Sequence, residues 1–230
     1  MLLVLFDIDG TLLTSNGMGR TSIRHALEQV YGRELSTDGV SFAGRTDPAI
    51  VRDILTNAGF STERIDELME RCLKCYADLL ESSLTPEQVT LLPGVRGLLD
   101  QFSSNPRTQL GLITGNLRST AYTKLRAGGV AHYFPFGAFG SDHEDRKQLP
   151  AFAAERASQY CDRHFEPHNT LIIGDTEHDI SCSQFFGAQA VAVATGVVDY
   201  EVLEEAGPVI LLRDLEEPKA LFDLVESLLD

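Results

Sequence analysis

The sequence predicts an α/β fold, a doubly wound parallel sheet interrupted by one inserted helical domain. Three observations predict it. Short apolar, β-rich runs alternate with helical patterns over most of the chain. Each strong run ends abruptly in polar or glycine-containing residues. Residues 14–90, by contrast, carry helical periodicity and no convincing strand.

The first strand is Leu2 to Phe6, an unbroken apolar run of the kind that is buried on both faces of a parallel sheet. Equivalent runs follow at Leu110 to Ile113, Thr170 to Ile173 and Ala190 to Ala194, with weaker ones at Phe136 to Phe139 and Val209 to Leu212. Helical patterns lie between the later strands, at Val95 to Phe102, Ser119 to Ala127, Ala151 to Tyr160 and Asp179 to Phe186, and a last one runs from Pro218 to Leu229. The insert contains three more. Ile23, Ala26, Leu27, Val30 and Tyr31 recur at helical spacing; Ile50, Val51, Ile54 and Leu55 follow the helix start Thr46-Asp47-Pro48; and a third helix spans Ile65 to Leu80. The expected domains are therefore a core of residues 1–13 and 91–230 and a helical cap of residues 14–90.

Composition narrows the function. The 230 residues carry 19 Lys and Arg against 34 Asp and Glu, a formal net charge of −15 at pH 7. Such a chain lacks the cations that displace counterions from nucleic acid or anionic lipid, so neither is an expected partner. A small molecule is the expected partner instead, and any phosphate site in so acidic a chain must be built from a metal, backbone amides and a few placed cations. The opening MLLVLF is too short to span a bilayer and lacks the basic start of a signal peptide. Four cysteines form no disulfide framework, and Cys72 and Cys75 fall on the apolar stripe of a helix; the cytoplasm is the expected compartment. With an acidic surface, a monomer is expected.

Four motifs follow strand ends, where ligands of such sheets bind. The first is Asp7-Ile8-Asp9-Gly10-Thr11. A carboxylate is ionised at neutral pH and attacks phosphorus without a base, provided that a divalent cation offsets its repulsion from the phosphate oxygens. Asp9 is then the natural group to hand a proton to the departing alkoxide. The second motif is Thr114-Gly115-Asn116, a hydroxyl and amides at a strand-to-helix junction that suit a phosphate cradle. The third is the basic pair Arg146-Lys147. The fourth is Gly174-Asp175-Thr176-Glu177-His178-Asp179, whose aspartates are hard oxygen ligands of the kind magnesium takes. Singly, each also reads as an ordinary turn, a solvated surface stretch or a helix cap. Their order, each after a strand, is what points to a phosphate site.

Together these motifs resemble the haloacid dehalogenase superfamily, over essentially the whole chain. The position of the helical insert is most similar to that of the phosphoglycolate-phosphatase-like and β-phosphoglucomutase-like branch. The resemblance implies a Rossmann-like core and a Mg²⁺-dependent phosphatase, phosphoglycolate-phosphatase-like, acting on a small-metabolite phosphomonoester through an aspartyl-phosphate on Asp7. Asp9 would be general acid and then base. Thr114, with Gly115, Asn116 and a third-motif cation, would bind the phosphate. Mg²⁺ would sit on Asp7, the Asp9 carbonyl and Asp175, supported by Asp179. Members of the branch commonly read Arg-Lys-Pro at the third motif, whereas this chain reads Arg146-Lys147-Gln148-Leu149-Pro150. Lys147 is the expected cation, with Arg146 as the alternative if the loop is shifted. Arg45, beside Gly44 in the cap loop, is the expected contact to the rest of the substrate. The presence of Asp9 favours phosphate-ester chemistry over dehalogenation, because a departing halide needs no proton. A phosphomutase of the β-phosphoglucomutase type and a catalytically silent regulatory protein on the same fold are the alternatives.

Overall fold

The central strand of the protein is the apolar run at its start, and the rest of the core is laid on either side of it. The computed structural model describes residues 1–229. Strand β1 (Leu2–Phe6) pairs in parallel with β4 (Thr108–Thr114) on one side and with β6 (Thr170–Gly174) on the other. Beyond β4 lies β5 (Gly137–Phe139); beyond β6 lie β7 (Gln189–Val193) and β8 (Ile210–Leu212). The strand order is β5-β4-β1-β6-β7-β8. All six predicted strands are present.

Alternate residues of β1 face opposite layers, as strand geometry requires. Leu2, Val4 and Phe6 join a core with α4 (Val95–Ser104), α5 (Arg118–Ala127) and α9 (Lys219–Leu229). Leu3 and Leu5 face α6 (Leu149–Cys161) and α7 (Glu177–Phe186) on the other side. Both faces being covered explains why the strand is apolar throughout. The short helix α8 (Tyr200–Glu205), which carries too few residues for a periodicity to register, was not expected from sequence.

The insert consists of α1 (Met18–Tyr31), α2 (Asp47–Asn57) and α3 (Thr62–Ser83) around an apolar core of their own, including Ile23, Leu27, Ile50, Ile54, Ile65, Cys72, Tyr76 and Leu80. Cys72 is buried there, and burial pushes its thiol up to about 12, so it is an inert packing group. Two strands too short to read from sequence, β2 (Leu13–Thr14) and β3 (Thr90–Leu91), pair antiparallel where the chain leaves and re-enters the core. No helix among the described residues is long and apolar enough to cross a membrane.

This topology places the chemistry. The chain runs outward from β1 through β4 to β5, then returns to β6 on the opposite side, so its order reverses at β1. Phe6 is level with Leu112 and Ile173, and the strands therefore release Asp7, Thr114 and Asp175 at one rim of the sheet. That crevice is where a sheet of this kind leaves room for a ligand.

Candidate active site

Asp7 leaves β1 with its amide still bonded to the Ile173 carbonyl at 2.9 Å. The chain then turns tightly, with the amides of Leu12 and Leu13 both directed at the Ile8 carbonyl, 2.9 and 3.0 Å away. Gly10 makes this turn possible on two counts. Its φ of +84° lies in the left-handed region, and a Cβ there would stand 2.2 Å from Asp175 Oδ2. Thr11 donates its hydroxyl to Asp175 Oδ1 at 2.8 Å, tying the first motif to the fourth.

Asp175 ends β6, and Thr176 caps α7. Asp179 completes a capping box: its Oδ2 accepts the Thr176 amide at 3.1 Å and the Thr176 hydroxyl at 2.7 Å. Its Oδ1 accepts from Arg146 Nη2. The spacing of the fourth motif thus serves both helix capping and the site. One carboxylate oxygen from each of Asp7, Asp175 and Asp179 lies within 4.8 Å of the other two, and all three residues are buried.

Burial and mutual repulsion govern these acids. Desolvation raises Asp7 to about 6; Arg146 opposes the rise, whereas Asp179 and Asp9 add to it. Asp175 is raised well above the carboxylate range by burial and then by Asp7 and Asp179. Arg146 is the cation set against them, with Nη2 3.2 Å from Asp7 Oδ2. Burial alone disfavours its charge, but Asp179 and Asp7 more than offset that. Its Nε is buried without a hydrogen-bond partner among the described residues.

The expectation for the third motif is corrected here. Lys147 is exposed and stands outside the cavity, whereas Arg146 is buried and lines it. The cause is local. Residues Arg146–Gln148 form a 3₁₀ turn whose Lys147 amide is capped by Asp145 Oδ1 at 3.0 Å. Successive side chains on such a turn diverge by about a third of a revolution. One neighbour enters the site and the next must leave it.

The second motif folds as a junction between core and insert. Thr114 is buried at the end of β4, and its Oγ1 accepts the Asn116 side-chain amide at 2.8 Å. That same Asn116 Nδ2 lies 2.7 Å from Asp9 Oδ2. The Gly115 carbonyl accepts the Asp47 amide at 2.7 Å, and a Cβ on Gly115 would stand 2.0 Å from the Arg45 carbonyl oxygen. Gly115 is therefore required for the insert to dock. Thr46 adds a hydroxyl bond to the Glu144 carbonyl at 2.7 Å.

Sequence reasoning missed two residues at this junction. Lys124 on α5 is buried, its Nζ 2.8 and 2.6 Å from the two carboxylate oxygens of Asp9 and 2.7 Å from Asn116 Oδ1. The Asp9 side chain is therefore held apart from the three-acid cluster. Asp47, at the start of α2, accepts the Leu117 amide at 2.9 Å, and burial raises its carboxyl to about 6. The signal for Lys124 was its position on the apolar face, three and four residues after Ala121 and Thr120.

Asp7, Asp9, Thr114, Gly115, Asn116, Arg146 and Asp175 all line one cavity of about 630 Å³, roofed by Arg20, Ile23, Phe42, Arg45, Ile50 and Tyr76 of the insert. Arg45 lies on that wall, and its Nη2 is already paired with Asp53 Oδ2 at 2.7 Å. His178 is half-buried behind Gly44, away from the lining.

The chain is similar to known proteins over most of its length. Residues 4–193 match the model of a family described as haloacid dehalogenase-like hydrolase. The pyrophosphatase PpaX of Oceanobacillus iheyensis is 26% identical over 217 residues, covering 93% of each chain. That of Bacillus pumilus is 24% identical over 219 residues, covering 95% of this chain and 94% of the other. Among solved structures, a predicted phosphatase from Clostridium acetobutylicum superposes with a TM-score of 0.74 at 18% identity, covering 96% of this chain and 98% of that one. A β-phosphoglucomutase from Clostridium difficile does so with a TM-score of 0.72 at 20% identity, covering 100% and 97%. These structures are similar in fold.

Proposed function

The chain belongs to the haloacid dehalogenase-like hydrolases, and from that premise we propose that it is a Mg²⁺-dependent phosphatase that cleaves small phosphorylated metabolites through an aspartyl-phosphate on Asp7. The observation that carries this reading is the buried cluster of Asp7, Asp175 and Asp179 with Arg146 as its cation. Three acids confined with one guanidinium leave an excess of negative charge. Their oxygen-only donor set fits a hard divalent ion, which would draw the raised carboxyl groups back to the ionised state. Asp7 and Asp175 would hold the ion, with Asp179 behind them. Bound Mg²⁺ would neutralise the charge between the nucleophile and the phosphoryl oxygens.

The chain's own residues supply the rest. Asp7 attacks phosphorus; the bond from its carboxylate oxygen forms as the bond to the leaving oxygen breaks. Asp9 gives that oxygen its proton, then takes a proton from the water that releases phosphate from Asp7. Thr114 offers its hydroxyl to a phosphoryl oxygen. Arg146 holds Asp7 in place, and its unpartnered Nε is a donor in want of an acceptor. The insert, docked on Gly115 and Glu144, excludes water while the ester is cleaved.

The test is phosphate release from phosphoglycolate, sugar phosphates, nucleoside monophosphates, an aryl phosphate and pyrophosphate. Pyrophosphate is included because the curated relatives at 24–26% identity are named pyrophosphatases. Release that stops with a chelator and in Asp7→Asn supports the proposal. No release from any compound by the wild type overturns it.

A further inference from the structure

Four cationic side chains line the cavity: Arg20, Arg45, Lys124 and Arg146. Three are committed to acids of the chain itself. Arg146 is held by Asp7 and Asp179, Lys124 by Asp9, and Arg45 by Asp53. Arg20 is different. It is exposed, it pairs with no acid among the described residues, and its Cζ stands 4.3 Å from the centroid of the Phe42 ring.

The two partners come from separate segments, Arg20 from α1 and Phe42 from the loop before α2, and both line the cavity that holds Asp7. An aromatic face holds a guanidinium flat without using any of its five N–H donors, which stay in the plane and free for an acceptor. Ile23 and Ile50 of the insert line the same cavity. In a chain of net charge −15, an uncommitted arginine in the cavity that holds Asp7 has a specific use.

We propose that Arg20, stacked on Phe42, reads a second anionic group of the substrate, so that the enzyme acts on small phosphate compounds that also carry a carboxylate or a further phosphate. This rests on the phosphatase reading and assigns to Arg20 the contact expected of Arg45. The planar fork suits either anion.

Binding of non-hydrolysable phosphonates tests it without turnover. Calorimetric titration in Mg²⁺ would compare 3-phosphonopropionate, 1,2-ethylenediphosphonate and neutral-tailed propylphosphonate. The wild type is expected to bind at least one of the first two about tenfold or more tighter than the third, the scale of a charge-assisted hydrogen bond. Which of the two gains shows whether the second anion is a carboxylate or a phosphate. Arg20→Met should abolish the preference, and Arg20→Lys should keep part of it. Arg24→Met, which removes an arginine of α1 paired with Glu34, should leave it intact. A wild type without preference, or a preference that survives in Arg20→Met, overturns the proposal. Phosphate release by the wild type from any ester tests the phosphatase reading separately, so the two can fail independently.

Discussion

The Lys124 ammonium grips both carboxylate oxygens of Asp9, at 2.8 and 2.6 Å, and reaches Asn116 Oδ1 at 2.7 Å. Asn116 in turn bonds Thr114 and Asp9, so the second motif and the first share one buried network. The proposed proton-transfer group is thus fixed from a helix that carries no recognised motif.

Lys124→Met is expected to lower kcat by about 10²-fold with little change in KM, because it loosens a group needed for proton transfer and leaves the phosphate contacts in place. Steady-state kinetics on one ester, with thermal melting to confirm folding, checks this. An unchanged kcat in a folded variant would make Lys124 a packing residue only.

The basic pair of the third motif separates into one buried and one exposed side chain. Arg146→Gln is expected to cut kcat/KM by about 10²-fold or more, since it leaves the acids of the cluster without a counter-charge. Arg146→Lys should recover only part, because an ammonium cannot bridge Asp7 and Asp179 as the guanidinium fork does. Lys147→Ala should match the wild type. Parallel assays of the three variants decide which residue acts.

Magnesium should stabilise the fold against heat. At about a hundred times its dissociation constant a ligand adds about 2.7 kcal/mol, which for a chain of this size is a rise in Tm of about 5–10 °C. Asp175→Asn should abolish that rise while leaving the metal-free protein no less stable, since it replaces a carboxyl whose ionisation burial and the neighbouring Asp7 and Asp179 already disfavour. Calorimetry with and without chelator measures both effects.

Asp47 gives a pH dependence independent of the metal ligands. Its folded value is raised from 3.8 to about 6, so the folded state binds the proton more tightly than the unfolded chain. Its contribution is fully present below the unfolded value and is lost as pH rises through about 6. In saturating Mg²⁺, stability should therefore fall between about pH 4 and 6, by at most about 3 kcal/mol from this group. Asp47→Asn keeps an acceptor for the Leu117 amide and should flatten that slope in denaturant melts across the window.

The sequence by itself determined the sheet, the insert and the acids. The β1 run is apolar because both faces are covered, and a run of that kind declares itself without knowledge of its neighbours. Asp7, Asp9, Asp175 and Asp179 could be read because each lies at or just beyond the end of such a strand, where short-range spacing fixes position. What the tertiary structure decided were pairings between distant segments. Lys124 meets Asp9 across 115 positions, and Arg146 meets Asp179 across 33. Whether Arg146 or Lys147 faces inward depends on the turn set by Asp145, and whether Arg45 or Arg20 is free depends on where Asp53 lies. A charged side chain takes its role from the charge it is packed against, and that partner is chosen by the fold.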